Sequence, residues 1–262
     1  MSDNKDYTYE RLASALKQAE KTRISINAIS KENPELEVDD AYAIQLLNIK
    51  KEVSDGKRIT GKKIGLTSLA MQNMLGVNRP DFGHLLDSME VVDGTIERSS
   101  MLQPKVEGEL AFVLKDDLAG PGVTSEDVLN ATHYLAPSIE IVDSRVANWK
   151  INIIDTVADN ASSGMYIVGK EKLDPKTTDM LSIRMKLFKN GDYVNEGVGR
   201  DVLGDPAYAV AWLANTLSEY GVKLNKGDIV LSGAFSAALA AEAGDVFTAV
   251  YENIGEVTVK FV

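Results

Sequence analysis

Pro104-Lys105-Val106-Glu107-Gly108-Glu109-Leu110-Ala111-Phe112-Val113 carries two carboxylates into an apolar run, and the period of this stretch decides the fold. In a β-strand, residues i and i+2 share a face, so Glu107 and Glu109 point one way and Gly108 the other. Two like charges so placed repel unless a cation lies between them. Taken alone, Glu-x-Glu also fits a solvated edge strand with both side chains in water. Downstream, β-branched and aromatic runs recur at 110–114, 138–142, 183–188, 229–231, 246–251 and 257–262, so most of the second half reads as sheet.

Helix signals lie upstream of this pattern and within it. Leu12, Ala15, Leu16 and Ala19 recur at helical spacing, and residues 41–55 do the same after Asp39 and Asp40, stopping at Gly56. Among the strands, one helix is expected over 125–135, and another has Asp205 as N-cap, Pro206 in its first turn and Gly221 as its stop. Lys189-Asn190-Gly191-Asp192 and Lys226-Gly227-Asp228 are turn signals that split the strands into hairpin-like units. The expectation is an α+β chain with a helical N-terminal segment over residues 1–75 and a sheet-rich unit over 76–262, the two forming one compact body.

Composition narrows the function classes. A chain of 262 residues that is 44% hydrophobic and 26% charged can bury a full core. Its net charge of −11 argues against nucleic acid, whose phosphates require a basic footprint, and an anionic ligand must meet a local cation or metal. The absence of cysteine removes disulfides, thiolate metal sites and a cysteine nucleophile, and fits a reducing cytoplasm. Asp3, Lys5 and Asp6 stand where an export signal needs apolar residues, and no apolar run approaches the roughly 20 residues that span a bilayer. A cytoplasmic protein with no membrane role is expected.

A third carboxylate changes the meaning of the first two. Ser138-Ile139-Glu140-Ile141-Val142-Asp143 sets Glu140 inside an apolar strand, on the face shared with Ser138 and Val142. A buried carboxylate must find a partner, shift its pKa upward or bind a metal, and three oxygen donors without cysteine suit a hard cation, Mg²⁺ or Mn²⁺. Gly61-Lys62-Lys63-Ile64-Gly65-Leu66-Thr67-Ser68 reads as a glycine-flanked basic turn, either solvated or delivering a lysine to a substrate carboxylate; it lacks the pattern of a phosphate loop. Arg79-Pro80-Asp81-Phe82-Gly83-His84 fits an ordinary surface turn, and Asp159-Asn160-Ala161-Ser162-Ser163-Gly164 either holds a carboxylate through its hydroxyls or merely ends a helix. His84 and His133 are the sole histidines, and without a Gly-x-Ser-x-Gly elbow a serine hydrolase is set aside. Flavin and nicotinamide signatures are absent.

Three groups of residues carry a resemblance. Residues 61–68, Gln72-Asn73-Met74-Leu75 and Pro80-Asp81-Phe82-Gly83 resemble the 2-hydroxypenta-2,4-dienoate (2-oxopent-4-enoate) hydratases of aromatic meta-cleavage pathways. Residues 104–113, Ile139-Glu140-Ile141-Val142-Asp143-Ser144-Arg145 and Thr156-Val157-Ala158-Asp159-Asn160-Ala161-Ser162-Ser163 resemble the wider hydratase/4-oxalocrotonate decarboxylase family. The likeness runs from Asp39 to Val262. It implies a fumarylacetoacetate-hydrolase-like fold, a mixed β-roll or open barrel whose mouth holds Mg²⁺ or Mn²⁺ on Glu107, Glu109 and Glu140. Carried over by motif, Lys63 lies near the substrate, Asp81 is an acid/base partner, and Ser162 and Ser232 contact the substrate carboxylate or oxo group.

The implied reaction is hydration of a small 2-hydroxy/2-oxo dienoic acid to 4-hydroxy-2-oxopentanoate, by a homo-oligomer that can associate with the pathway's 4-oxalocrotonate decarboxylase. Rivals are that decarboxylase activity itself, a hydratase for a longer dicarboxylic analogue, an acylpyruvate hydrolase, and a non-catalytic partner subunit of the decarboxylase. Asp81 before the aromatic-glycine pair favours the hydratase over the decarboxylase. Neither histidine sits in a motif that suggests the His-Glu base a hydrolase would want.

Overall fold

Period-two burial organises the computed structural model, which describes residues 2–68, 72–73 and 76–262, with side chains from Lys5 onward. Along β4 (Pro104–Leu114), Val106, Leu110 and Phe112 face the main apolar core, whereas Ala111 faces a second, smaller one with Leu85, Tyr166 and Leu231. Glu107 and Glu109 lie on the Ala111 side. β4 is central rather than an edge strand: it pairs antiparallel with β5 (Thr132–Asp143) and with β9 (Ile229–Ala234). The sheet runs β2-β1-β9-β4-β5-β6, with β1 at Ile59–Gly65, β2 at Asp81–Leu86 and β6 at Ser163–Val168; the short β10 (Leu239–Ala240) pairs with β4 off this path. β1 is parallel to β9, so the sheet is mixed.

A second sheet covers the apolar face of the first, in the order β3-β12-β11-β7-β8, with β3 at Thr95–Ile96, β7 at Arg184–Lys189, β8 at Asp192–Val198, β11 at Val246–Tyr251 and β12 at Gly255–Phe261. Two contacts seat it. Gly108 lies so close to Met185 of β7 that a Cβ would stand 2.8 Å from its Cε. Tyr251 of β11 donates its hydroxyl to the carbonyls of Glu109 (2.6 Å) and Ser138 (2.8 Å), pinning both site strands from behind.

The α-helices around the sheets include α1 (Ser2–Thr22), α2 (Ile29–Glu32), α3 (Val38–Ser54), α4 (Ser125–Ala131), α5 (Ile153–Ala158) and α6 (Pro206–Glu219). α6 begins as expected, with the Asp205 side chain accepting from the Ala207 N–H and Gly221 beyond its end at φ 68°. None of the described helices is long and apolar enough to cross a membrane. The Asn190-Gly191 turn joins β7 to β8, both residues in the left-handed region.

Three local expectations change. The helix expected over 125–135 ends at Ala131, because Thr132 to Leu135 are taken into the ladder opposite Phe112 to Leu114. Residues 61–65 are not a turn but β1, held between β2 and β9. A Cβ on Gly61 would stand 1.8 Å from the Ile229 carbonyl oxygen, so the glycine that suggested a turn is what lets the strands meet. Likewise the surface-turn reading of 79–84 gives way from Asp81 onward to β2, which is buried throughout. Met74, Leu75 and with them the expected boundary between residues 75 and 76 lie outside the described residues.

α3 docks on β2 through Gln45, which donates to the carbonyls of Phe82 (3.1 Å) and Val157 (2.8 Å). With its amide nitrogen so committed, Gln45 Oε1 accepts from His84 Nδ1 at 3.0 Å. Burial, with Lys62 nearby, pushes the His84 ring down to about 3, so it is neutral at pH 7. A histidine depressed in this way contributes stability above its unfolded pKa of about 6.5, and that stability is lost as pH falls toward the folded value. Chemical denaturation at pH about 7 and about 4.5 should therefore show a larger loss for the wild type than for His84→Gln; equal losses would contradict a neutral, buried ring.

Candidate metal centre

Cross-strand register builds the site. In the β4–β5 ladder Glu107 stands opposite Glu140 and Glu109 opposite Ser138, so residues far apart in sequence share one patch of sheet. One carboxylate oxygen from each of Glu107, Glu109 and Glu140 lies within 4.8 Å of the others. Glu109 and Glu140 are buried and Glu107 is partly exposed.

β1 contributes the countercharge. Lys62 and Lys63 are adjacent and so face opposite ways. Lys63 Nζ reaches Glu140 Oε1 at 3.2 Å, whereas Lys62 stands opposite His84 on the far face, where burial lowers its pKa against the pull of Asp228. Burial would likewise lower Lys63, but Glu140, Asp81, Glu107 and Glu109 outweigh it, and its pKa lies above the ordinary lysine value. Lys63 is therefore a fixed positive charge at neutral pH.

The carboxylates carry the opposite strain. Burial, then the neighbouring Glu140, pushes Glu107 up to about 7 despite Lys63. Glu109 is raised well above the usual range by burial and by the other two glutamates, with Lys63 and the Gly233 N–H opposing; that N–H donates to Glu109 Oε2 at 2.9 Å. Burial raises Asp81 to about 6, against the attraction of Lys63. The Thr156 hydroxyl reaches Oδ2 only at a long 3.5 Å, and among the described residues Oδ1 has no hydrogen-bond partner.

These residues fit a hard divalent cation. Among the described residues, Glu109 Oε1, Glu140 Oε2 and the hydroxyl of Ser138 are buried without a hydrogen-bond partner, and Glu140 Oε1 has only its ion pair with Lys63. Buried oxygens are almost always paired, and carboxylate oxygens converging with no nitrogen or sulfur ligand are the donor set of Mg²⁺ or Mn²⁺.

Ser232 is fully buried on β9 beside Gly233, and its hydroxyl has no hydrogen-bond partner among the described residues. Ser162, also buried, donates to Asp159 Oδ2 at 3.4 Å and closes a run of three residues in the left-handed region, Asn160, Ala161 and Ser162, at φ 55°, 50° and 52°. Non-glycine residues there cost about 1–3 kcal/mol each, so the turn needs fastening. Two groups that sequence reasoning left without a role supply it. Asn160 clamps β2, accepting from the His84 N–H (2.8 Å) and donating to its carbonyl (2.9 Å). Arg145 grips the Asp159 carboxylate and backbone, and also donates to the carbonyls of Asp143 (2.7 Å) and Ser163 (2.9 Å). Thr156 was the other omission. All three lie inside the quoted motifs, but a motif does not say which of its residues hold the backbone.

A cavity of about 210 Å³ between α1, α3 and the ends of β2 and β6 is separate from this centre: none of the three glutamates, Lys63 or Asp81 lines it.

With the geometry in place, comparison with known proteins becomes decisive. Residues 78–262 match the model of the fumarylacetoacetate (FAA) hydrolase C-terminal family. The chain belongs to the fumarylacetoacetate hydrolase family. Its relatives include a 2-hydroxyhexa-2,4-dienoate hydratase of Comamonas testosteroni, 46% identical with 96% of this chain and 95% of the relative covered. A 2-keto-4-pentenoate hydratase of Paraburkholderia xenovorans is 44% identical over 96% and 94%. Among solved structures of the family, 4-oxalocrotonate decarboxylase from Pseudomonas putida G7, complexed with magnesium and adipate, superposes with a TM-score of 0.95 at 35% identity, covering 98% of each chain. The α+β fold with its mixed β-roll is the family's.

Glu140→Gln should retain the fold and lose divalent-cation binding in a calorimetric titration with Mn²⁺, because it removes a charge that has no substitute in the cluster. Unaltered affinity would remove Glu140 from the ligand set.

Proposed function

We propose that this protein is a divalent-metal-dependent hydratase that adds water to 2-hydroxypenta-2,4-dienoate, giving 4-hydroxy-2-oxopentanoate in aromatic meta-cleavage catabolism. The observation that carries the reading is the donor-poor cluster of Glu107, Glu109 and Glu140 with Lys63 and Asp81 at its edge. Identity supports hydratase over decarboxylase, since hydratase relatives reach 44–46% and the decarboxylase stands at 35%.

Glu107, Glu109 and Glu140 would hold Mg²⁺ or Mn²⁺, which when bound would supply a Lewis acid to the 2-oxo acid substrate. The chain's own groups handle protons. Ketonisation moves the enol proton off the C2 oxygen and places a proton on C5, leaving a C3–C4 double bond conjugated to the new carbonyl. Water then adds its oxygen to C4 while C3 gains a proton. Lys63, permanently charged, favours negative charge building on the substrate oxygens. Asp81, pushed up to about 6, is ionised often enough at neutral pH to take a proton from water and returns it readily. Ser162 and Ser232 are assigned as hydroxyl contacts for the substrate. Residues 1–75 and 76–262 act as one unit, in a cytoplasmic homo-oligomer able to associate with the pathway decarboxylase.

Freshly generated 2-hydroxypenta-2,4-dienoate, given to metal-stripped protein, should keep its dienol ultraviolet absorbance until Mg²⁺ or Mn²⁺ is added, and then lose it with a product heavier by one water. Release of CO₂ from 4-oxalocrotonate with no such hydration would assign the chain to decarboxylation instead. Asp81→Asn should lower turnover by about 10²-fold or more while cation affinity stays near wild type; an unchanged rate would leave Asp81 without a part in proton transfer.

A further inference from the structure

Gly65 ends β1 directly opposite Asp81, and the two face the same side of the sheet as Lys63. A Cβ built on Gly65 would lie 2.2 Å from Asp81 Oδ1, 3.3 Å from its Cγ and 3.5 Å from Lys63 Nζ. The glycine is not there for its backbone: Gly65 is absent from the positive-φ residues that include Gly61, Gly76 and Gly233. An alanine could adopt this conformation, so what the position excludes is a side chain.

Among the described residues, the attraction of Lys63 and weak hydrogen bonding are what draw the Asp81 carboxylate to its place. Its Oδ1 accepts no hydrogen bond, and the Thr156 hydroxyl reaches Oδ2 only at 3.5 Å. The carboxylate lies across the bare Cα of Gly65, which leaves it on the lysine's side.

We infer that Gly65 is a positioning residue whose missing side chain forms the seat that holds the Asp81 carboxylate beside Lys63. The inference rests on the proton-transfer role given to Asp81 above. Gly83, opposite Lys63, is bare for a different reason: its Cβ would strike the Asn160 carbonyl oxygen at 2.4 Å, so it admits the left-handed turn rather than a reacting group.

A double-mutant cycle on the metal-loaded protein tests the seat. Asp81→Ala alone should lower kcat by about 10²-fold or more, in line with loss of an acid/base group. Gly65→Ala should lower kcat at least about tenfold with Mn²⁺ affinity unchanged, since the carboxylate is displaced but the glutamates are not. The decisive comparison is Gly65→Ala made in the Asp81→Ala background, where the added methyl meets no carboxylate and kcat should match Asp81→Ala alone. If Asp81→Ala is fully active, the proton-transfer reading fails and Gly65 with it. If Asp81→Ala is impaired but Gly65→Ala costs the same factor in both backgrounds, or nothing in either, the seat is refuted while the role of Asp81 stands. Should Gly65→Ala fail to fold, recovery of folding in the double variant supports the contact, and failure of both overturns it.

Discussion

Everything at this centre follows from carboxylates buried faster than the protein supplies cations for them. Glu107, Glu109, Glu140 and Asp81 crowd one face of a sheet, with Lys63 among them and Lys105 acting on Glu107 from a half-buried position. Like charges in a poorly solvated place raise one another's pKa, and the elevated values of Glu107, Glu109 and Asp81 express that debt of positive charge. A divalent cation would discharge it and leave room for an anionic substrate, which an acidic chain otherwise has little means to attract.

The rest of the fold keeps those groups from relaxing away. Central placement of β4 fixes Glu107 and Glu109 by ladders on both sides, and Tyr251 holds the backbone of Glu109 and Ser138 from the second sheet. Arg145 and Asn160 fasten a turn of three left-handed residues against β2, the strand that carries Asp81. Glycines at 65 and 83 allow the close approaches on the same face. Rigid strands and a fastened turn suit chemistry that depends on where a proton donor stands to within about an ångström.

Much of this was legible in the chain because strands announce themselves by period two. Alternation put Glu107 and Glu109 on one face and Glu140 inside an apolar run, while their meeting as one ligand set was implied by the resemblance and depends on the β4–β5 register. β1 and β2 were not legible in that way. Gly61, Lys62, Lys63 and Gly65 are weak strand formers, and they become a strand only because β2 and β9 supply partners from distant parts of the sequence. The difference between Lys62 and Lys63 is likewise one of register, which the resemblance indicated and local pattern did not. Thr132 ended a helix early for the same reason, since pairing with β4 outweighed a helical spacing of apolar residues.

The most direct test of the central claim is an anomalous-scattering crystal structure of the protein soaked with Mn²⁺. The account predicts a single strong peak within coordination distance, about 2.0–2.6 Å, of oxygens from Glu107, Glu109 and Glu140, with Lys63 still beside Glu140. A well-ordered site with no peak, its glutamates protonated and bonded to one another, would contradict it.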